Sequence, residues 1–370
     1  MKRLRNVVLA VAATGVLVAL TSPARADLPP ETRTSQNAEA QRSSIDAYVK
    51  SLVEKIRGTD ARSAASAREE LSKQAESNPN GGVQVSASFQ LVYSSAVTGA
   101  IAPMLKSEQV GERLTAAVIV YRLANGSKLL SLQQPIQTLL ADDAPAVALW
   151  GVKSAGALLP SVLSGGFASS TEKLTTGIVE AVKKHPNVGP IIQDAYKALS
   201  VQNANLPPAG LEKATAAMNA LVAIRVQQYI NRLPADLHAD RDPSNYIWSA
   251  VNPKAKSPPV PGTVVASVQN LLDLLGVSAQ RFADAGGADR EKLQKVAETA
   301  AGSLIIVFTN MDQPNLIAAF KPFQRLGQMN ARGIATELAN AVALVKKVPS
   351  LATIKDPPVV QPIVQAAAGN

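Results

Sequence analysis

The chain contains no cysteine in its 370 residues. A disulfide framework is thereby excluded, so stability has to come from a packed core, and the lipobox cysteine of bacterial lipoproteins is absent with it. Aromatic residues make up only 4% of the sequence, which argues against a single-stranded nucleic-acid binder that stacks bases on exposed rings. Histidine occurs twice, at His185 and His238, so any Ser-His-Asp site has to use one of them. No Gly-x-Ser-x-Gly elbow, His-Glu-x-x-His pair, phosphate-binding Gly-x-x-x-x-Gly-Lys loop or dinucleotide glycine fingerprint is present, and no cofactor is expected. Beyond the N-terminus, the most apolar stretch is Leu304 to Phe308, which reads as one turn of a buried helix rather than a membrane span. No long run alternates apolar and polar residues with period two, which excludes half-buried strands.

What is present begins with an export signal. Lys2, Arg3 and Arg5 precede an uncharged apolar run from Val7 to Leu20, and Ala24-Arg25-Ala26 offers a small-x-small cleavage site. Cleavage after Ala26 is expected, by the general export route because no twin arginine precedes the run. Four of the 37 basic residues (Lys2, Arg3, Arg5, Arg25) leave with residues 1–26, so the mature chain carries 33 minus 28, or +5. That charge is mild and scattered, which argues against nucleic acid as a partner. The mature protein is expected to be soluble and unanchored, periplasmic or extracellular; the sequence leaves its oligomeric state open.

The remainder is rich in alanine and leucine with spacings of three and four. Val110, Leu114, Ala117, Val118 and Tyr121 form one such stripe, and Leu132, Ile136, Leu139 and Leu140 the next. Ala148, Val152, Ala155 and Leu159 continue it, as do Met218, Val222, Val226, Tyr229 and Leu233. Val268, Leu271, Leu272 and Leu275 follow, then Leu293, Ala297, Ala300 and Leu304, then Ile334, Leu338, Val342 and Val345. One buried helical face per segment gives an all-α fold class. Ser169 with Glu172 matches a capping box, Asp142-Asp143 before Pro145 reads as a helix start, and Asn125-Gly126 and Gly165-Gly166 read as stops.

The segments repeat. At an offset of 35, Leu105 falls on Leu140, Leu114 on Leu149, Ala117 on Val152, Val120 on Ala155 and Leu123 on Leu158. Looser copies run from Ile56 to Leu71 and from Val182 to Leu199. A helix ending in two apolar residues, a short polar turn and a small-residue-rich helix resembles the HEAT and armadillo repeats, and an exported α-solenoid is what the resemblance implies. It covers roughly residues 45–200, lacks a clean Asp-x-x-Val-Arg turn in most copies, and leaves an irregular helical bundle as the other reading.

Prolines break the pattern at Pro234, Pro243, Pro253, Pro258, Pro259 and Pro261. The expected organisation is therefore a signal peptide (1–26), a disordered start (27–37), a HEAT-like repeat region (38–232), a Pro-rich connector (233–262), a second helical lobe (263–354) and an extended tail (355–370).

The connector holds the densest polar cluster, Asp236, His238, Asp240 and Asp242, whose alternating carboxylates around an imidazole are candidate metal ligands. No central glycine or closing glutamate completes an EF-hand, and a solvated acidic turn ahead of a helix at Asp242-Pro243 is the plainer reading. Tyr246 and Trp248 are candidate partner-binding anchors, or else pins that hold the connector on a helical lobe. His185 follows Lys183 and Lys184 at a helix end, where cationic side chains suit the free carbonyls. Trp150 is expected to pack between repeats. No constellation compels an enzyme. The function that follows from fold analogy is an exported, non-enzymatic scaffold that binds another envelope or secreted protein. The alternatives are an envelope-acting hydrolase or lyase built on the helical scaffold, and a self-assembling structural envelope protein.

Overall fold

The computed structural model describes residues 28–75, 84–200, 207–251 and 259–360. The export signal with its cleavage site, residues 252–258 of the connector and residues 361–370 of the tail lie outside the described residues. Within them the chain is all-α, with fifteen α-helices and no strand. These are α1 (Pro30–Thr34), α2 (Arg42–Arg57), α3 (Ala61–Lys73), α4 (Ala87–Leu105), α5 (Val110–Ser127), α6 (Gln133–Leu140), α7 (Pro145–Ser164) and α8 (Ala168–Lys184). The rest are α9 (Gly189–Leu199), α10 (Pro208–Asn231), α11 (Asp242–Ala250), α12 (Pro261–Asp284), α13 (Gly287–Asn310), α14 (Pro314–Phe320) and α15 (Ala331–Val345).

Helix boundaries follow local chemistry. Asp60 caps α3 by accepting from the Arg62 and Ser63 amides at 3.2 and 3.1 Å. Ser86 caps α4 and Asn330 caps α15 in the same way. Proline opens α7 at Pro145, and Asp142 Oδ1 accepts from the Ala144 amide at 2.8 Å just ahead of it. Gly166, at φ 69°, stops α7 as the Gly-Gly pair implied. Two expected boundaries are corrected. Ser169 and Glu172 form no capping box, because α8 already begins at Ala168 and Glu172 turns to Lys213 instead. Helix α5 runs through Asn125-Gly126 and ends where Lys128 takes a left-handed conformation at φ 53°.

The helices pair and the pairs stack. Pairs α2/α3, α4/α5, α6/α7 and α8/α9 each turn through a short loop. The first helices pack in succession, α2 on α4, α4 on α6, α6 on α8 and α8 on α10; the second helices do the same from α3 through α5 and α7 to α9. Leu105 and Leu140, matched by the repeat offset, are the last residues of α4 and α6. Helix α7 lies among α5, α6, α8 and α9 and is buried on several sides. Its approach to α6 requires Gly151, where a Cβ would stand 2.7 Å from the Leu140 nitrogen and 2.8 Å from the Leu139 carbonyl carbon.

Beyond α9 the packing changes character. Helix α10 packs on α12, α12 on α13, and α13 on α11 and on a 3-10 turn at Leu237–Arg241. A continuous hydrophobic core therefore joins residues from Ala38 to Ile354. Most of the expected 233–262 connector that is described is helical rather than extended, because Pro243 and Pro261 sit in first turns where a missing N–H forfeits nothing. Residues 28–37, expected to be disordered, include α1 and dock on the start of α4: Ser86 N donates to Arg33 O at 2.9 Å and Ala38 N to Ser88 Oγ at 3.0 Å. By length and composition α7 and α12 could each cross a membrane, yet 56% of each apolar window is buried inside the protein.

Candidate functional site

Charged residues in and beside the turns between paired helices meet where successive pairs stack. Arg57 Nε reaches Glu112 Oε1 at 3.0 Å. Arg113 holds Asp142 with a two-point contact, Nε to Oδ2 at 2.7 Å and Nη2 to Oδ1 at 3.1 Å, while its Nη1 donates to Ser107 O at 2.8 Å. The hydrogen bond to Asp142 raises the Arg113 pKa. Lys184 Nζ donates to Ala141 O and pairs with Asp143, both at 2.6 Å, and that hydrogen bond lowers the Asp143 carboxyl. His185 is buried with Nε2 3.0 Å from Asp142 O, so it ties the end of α8 to the α6–α7 turn. One polar seam thus links the turns, and His185 belongs to it.

The four candidate metal ligands go to separate places. Asp236 takes a left-handed conformation at φ 54° and accepts from Gln193 Nε2 at 2.6 Å. His238 is exposed. Asp242 opens α11, half-buried, with Arg241 Nε at 3.7 Å. Asp240 turns inward to complete burial, which corrects the expectation of a solvated turn. It accepts from Arg225 Nε at 2.9 Å and Nη2 at 2.7 Å, from Tyr196 Oη at 2.9 Å and from Tyr229 Oη at 3.0 Å. Arg225, also fully buried, sends Nη1 to Gln228 Oε1 at 2.7 Å and Nη2 to Ala235 O at 2.5 Å. Burial pushes Tyr196 and Tyr229 well above the usual phenol range, with the Asp240 charge adding to it. Burial opposes the Arg225 charge, but the Asp240 carboxylate more than offsets it and the guanidinium pKa is raised. Every oxygen of Asp240 is engaged by protein donors, so the side chain is a structural clasp joining α9, α10 and the 3-10 turn. Among the described residues no three or more His, Asp or Glu side chains converge as a metal site.

Tyr246 is half-buried against the core and its neighbour Ile247 is buried, so α11 is pinned through this face. Trp248 lies on α11, but its side chain lies outside the described residues. Trp150 sits at the α5–α7 contact with its ring 5.1 Å from Tyr121 and Lys153 Nζ 5.3 Å above it. That is packing between successive helix pairs.

An open groove of 540 Å³ runs between α6 and α8. Leu140 and Gly177 line it with Gln137, Ser169, Thr176, Lys173 and two carboxylates, Glu172 and Glu180. Glu172 is held by Lys213 of α10 at 2.9 Å, which lowers its pKa, and Glu180 by Lys183 at 2.5 Å. Both carboxylates are thus already paired with lysines and Lys173 adds a further cation, so the groove presents apolar surface beside mixed charge. No periodicity in the sequence marks this groove, because its walls are ordinary solvent-side positions of two helices separated by α7.

No protein-family model matches the chain, and no curated protein matches it. Among solved structures it is similar to the crystal structure of an engineered protein at 12% identity, over 88% of this chain and 98% of that one, with a TM-score of 0.36. A likeness that loose carries no argument about function.

Proposed function

We propose that the mature chain is an exported, non-enzymatic scaffold of HEAT-like helical repeats that binds another envelope or secreted protein. The observation that carries this reading is the stacking of helix pairs with the turn-side charges tied into their own seam. Of the groups that a hydrolase or lyase would need, His185 is held in that seam against a backbone carbonyl and Asp240 is held by four donors in its own clasp, while His238 is exposed. Between the first helices α6 and α8 an open groove remains, and a segment of a protein partner that carries both apolar and charged side chains fits its mixed lining. Periplasmic or extracellular location, cleavage after Ala26 and the protein partner belong to the same proposal.

The test places a photocrosslinking residue at Thr176 in the mature chain and exposes it to the envelope fraction. The expected result is one saturable adduct that disappears in a Glu172→Lys/Glu180→Lys variant with unchanged melting temperature. Adducts indifferent to the reversal, or adducts to a second copy of the same chain, would overturn the reading, the latter in favour of self-assembly.

A further inference from the structure

After the 3-10 turn at Pro349–Leu351, the chain returns along α12. Lys355 donates its amide to Gln269 Oε1 at 2.7 Å, and Gln269 Nε2 donates back to Lys355 O at 3.2 Å. One side-chain amide thus reads both polar groups of a single residue's main chain, as a neighbouring strand would. Asp273 Oδ1, 2.8 Å from the same Nε2, orients that amide. About three turns along α12, Gln280 Oε1 accepts from the Val360 amide at 2.8 Å. That interval is about 16 Å of helix spanned by five residues, close to full extension.

Between the two anchors lie Pro357 and Pro358, which have no N–H to leave unpaired. Pro357 rests over Gly276, where a Cβ would stand 2.8 Å from Pro357 Cβ and 3.3 Å from Leu338 Cδ2 of α15. Val359 is 80% exposed, and Asp356 meets Lys346 at 2.7 Å while itself 80% exposed, so the side-chain packing of the strap comes from its half-buried prolines and from Val360, which rests against the core. Recognition here rests on main-chain hydrogen bonds, on Pro357 fitted to a glycine and on Val360, a combination that suits a segment already extended by its prolines.

We infer that the face of α12 beneath residues 355–360 is a binding site for an extended diproline segment of a protein partner, which this strap occupies in cis as an internal competitor. The inference is independent of the α6–α8 groove. A tethered occupant acts at an effective concentration on the order of millimolar, so a partner segment engages when presented at that level or when the strap is weakened.

The chain has no cysteine, so Val359→Cys offers a unique position for a nitroxide label in the full mature protein. The probe is a synthetic peptide of residues 353–360. The label is expected to be restricted alone and to be released, saturably, by millimolar peptide; a peptide with both prolines changed to alanine is expected to act about tenfold more weakly. In Gln269→Ala/Gln280→Ala the label is expected to move freely without peptide, and peptide binding to be lost. Should that variant fail to fold, Gly276→Ala, which favours the helix but fills the space under Pro357, is expected to do the same. A label already mobile in the unliganded wild type, or restricted throughout the titration, overturns the proposal. So does a concentration-dependent dimer in which peptide releases nothing, since the second copy then fills the site.

Discussion

Asp240 shows how one side chain can decide a local structure. Its carboxylate, fully buried, is satisfied only while Arg225, Tyr196 and Tyr229 converge on it. Removing it leaves a buried guanidinium without its counter-ion, so Asp240→Ala is expected to lower stability by about 3–5 kcal/mol, measured by urea unfolding. Tyr196→Phe, which deletes one of several donors, is expected to lower it by about 1 kcal/mol. Asp273 behaves in the opposite sense. Burial raises its pKa from 3.8 to about 6, so between those values the folded state holds a proton that the unfolded chain has released. Stability therefore falls as pH rises through that window. Asp273→Asn keeps an acceptor for Gln269, and should match wild type near the low end while exceeding it at neutral pH by about 1–2 kcal/mol. Equal melting curves at neutral pH would contradict this. Both residues were visible in the sequence as carboxylates; their burial was not, because it depends on segments far away in the chain.

At the scale of elements, helix contacts are set by small residues. Gly151 and Gly99 look alike in sequence, each inside an apolar helix. Gly151 abuts the backbone of α6, whereas nothing stands within 4 Å of a Cβ at Gly99. Gly151→Ala is expected to cost about 1–3 kcal/mol through overpacking, and Gly99→Ala to stabilise by about 0.5–1 kcal/mol through helix propensity. A thermal-shift comparison of the two separates packing from propensity. Helix α5 makes the complementary point. Its expected stripe included Val110 and Tyr121, yet Val110 is 45% exposed and the buried set is Ala116, Ala117, Ile119, Val120, Leu123 and Ala124. The helix is apolar on nearly every side, so period alone could not choose its inward face. In α15, where polar residues mark the outer side, Ile334, Leu338, Val342 and Val345 are buried as the spacing indicates.

For the whole molecule, the joint between the stacked pairs and the C-terminal helices is built from backbone as much as from apolar surface. Buried Arg281 of α12 donates from Nε to Tyr229 O at 2.7 Å and from Nη2 to Ile230 O at 2.8 Å, closing the last carbonyls of α10. Burial lowers its pKa. Wild type is expected to melt as one calorimetric transition because the core is continuous across this joint. Arg281→Ala, which frees those carbonyls, is expected to split it, with the C-terminal helices melting first; an unsplit transition would show that apolar packing alone couples the two parts.

From the sequence alone follow the all-α class, the absence of disulfides and the repeat offset that pairs the ends of α4 and α6. These are local properties: spacing, caps and turn residues act within a few positions of one another. It also pointed to the segment from Asp236 to Asp242 as unusual. Tertiary structure alone makes Asp240 a clasp, turns most of the described part of the proline-rich stretch into packed helix, and lays the strap along α12. Each of those outcomes joins residues tens of positions apart, and burial, which sets whether a carboxylate meets water or a guanidinium, exists only once the helices have stacked.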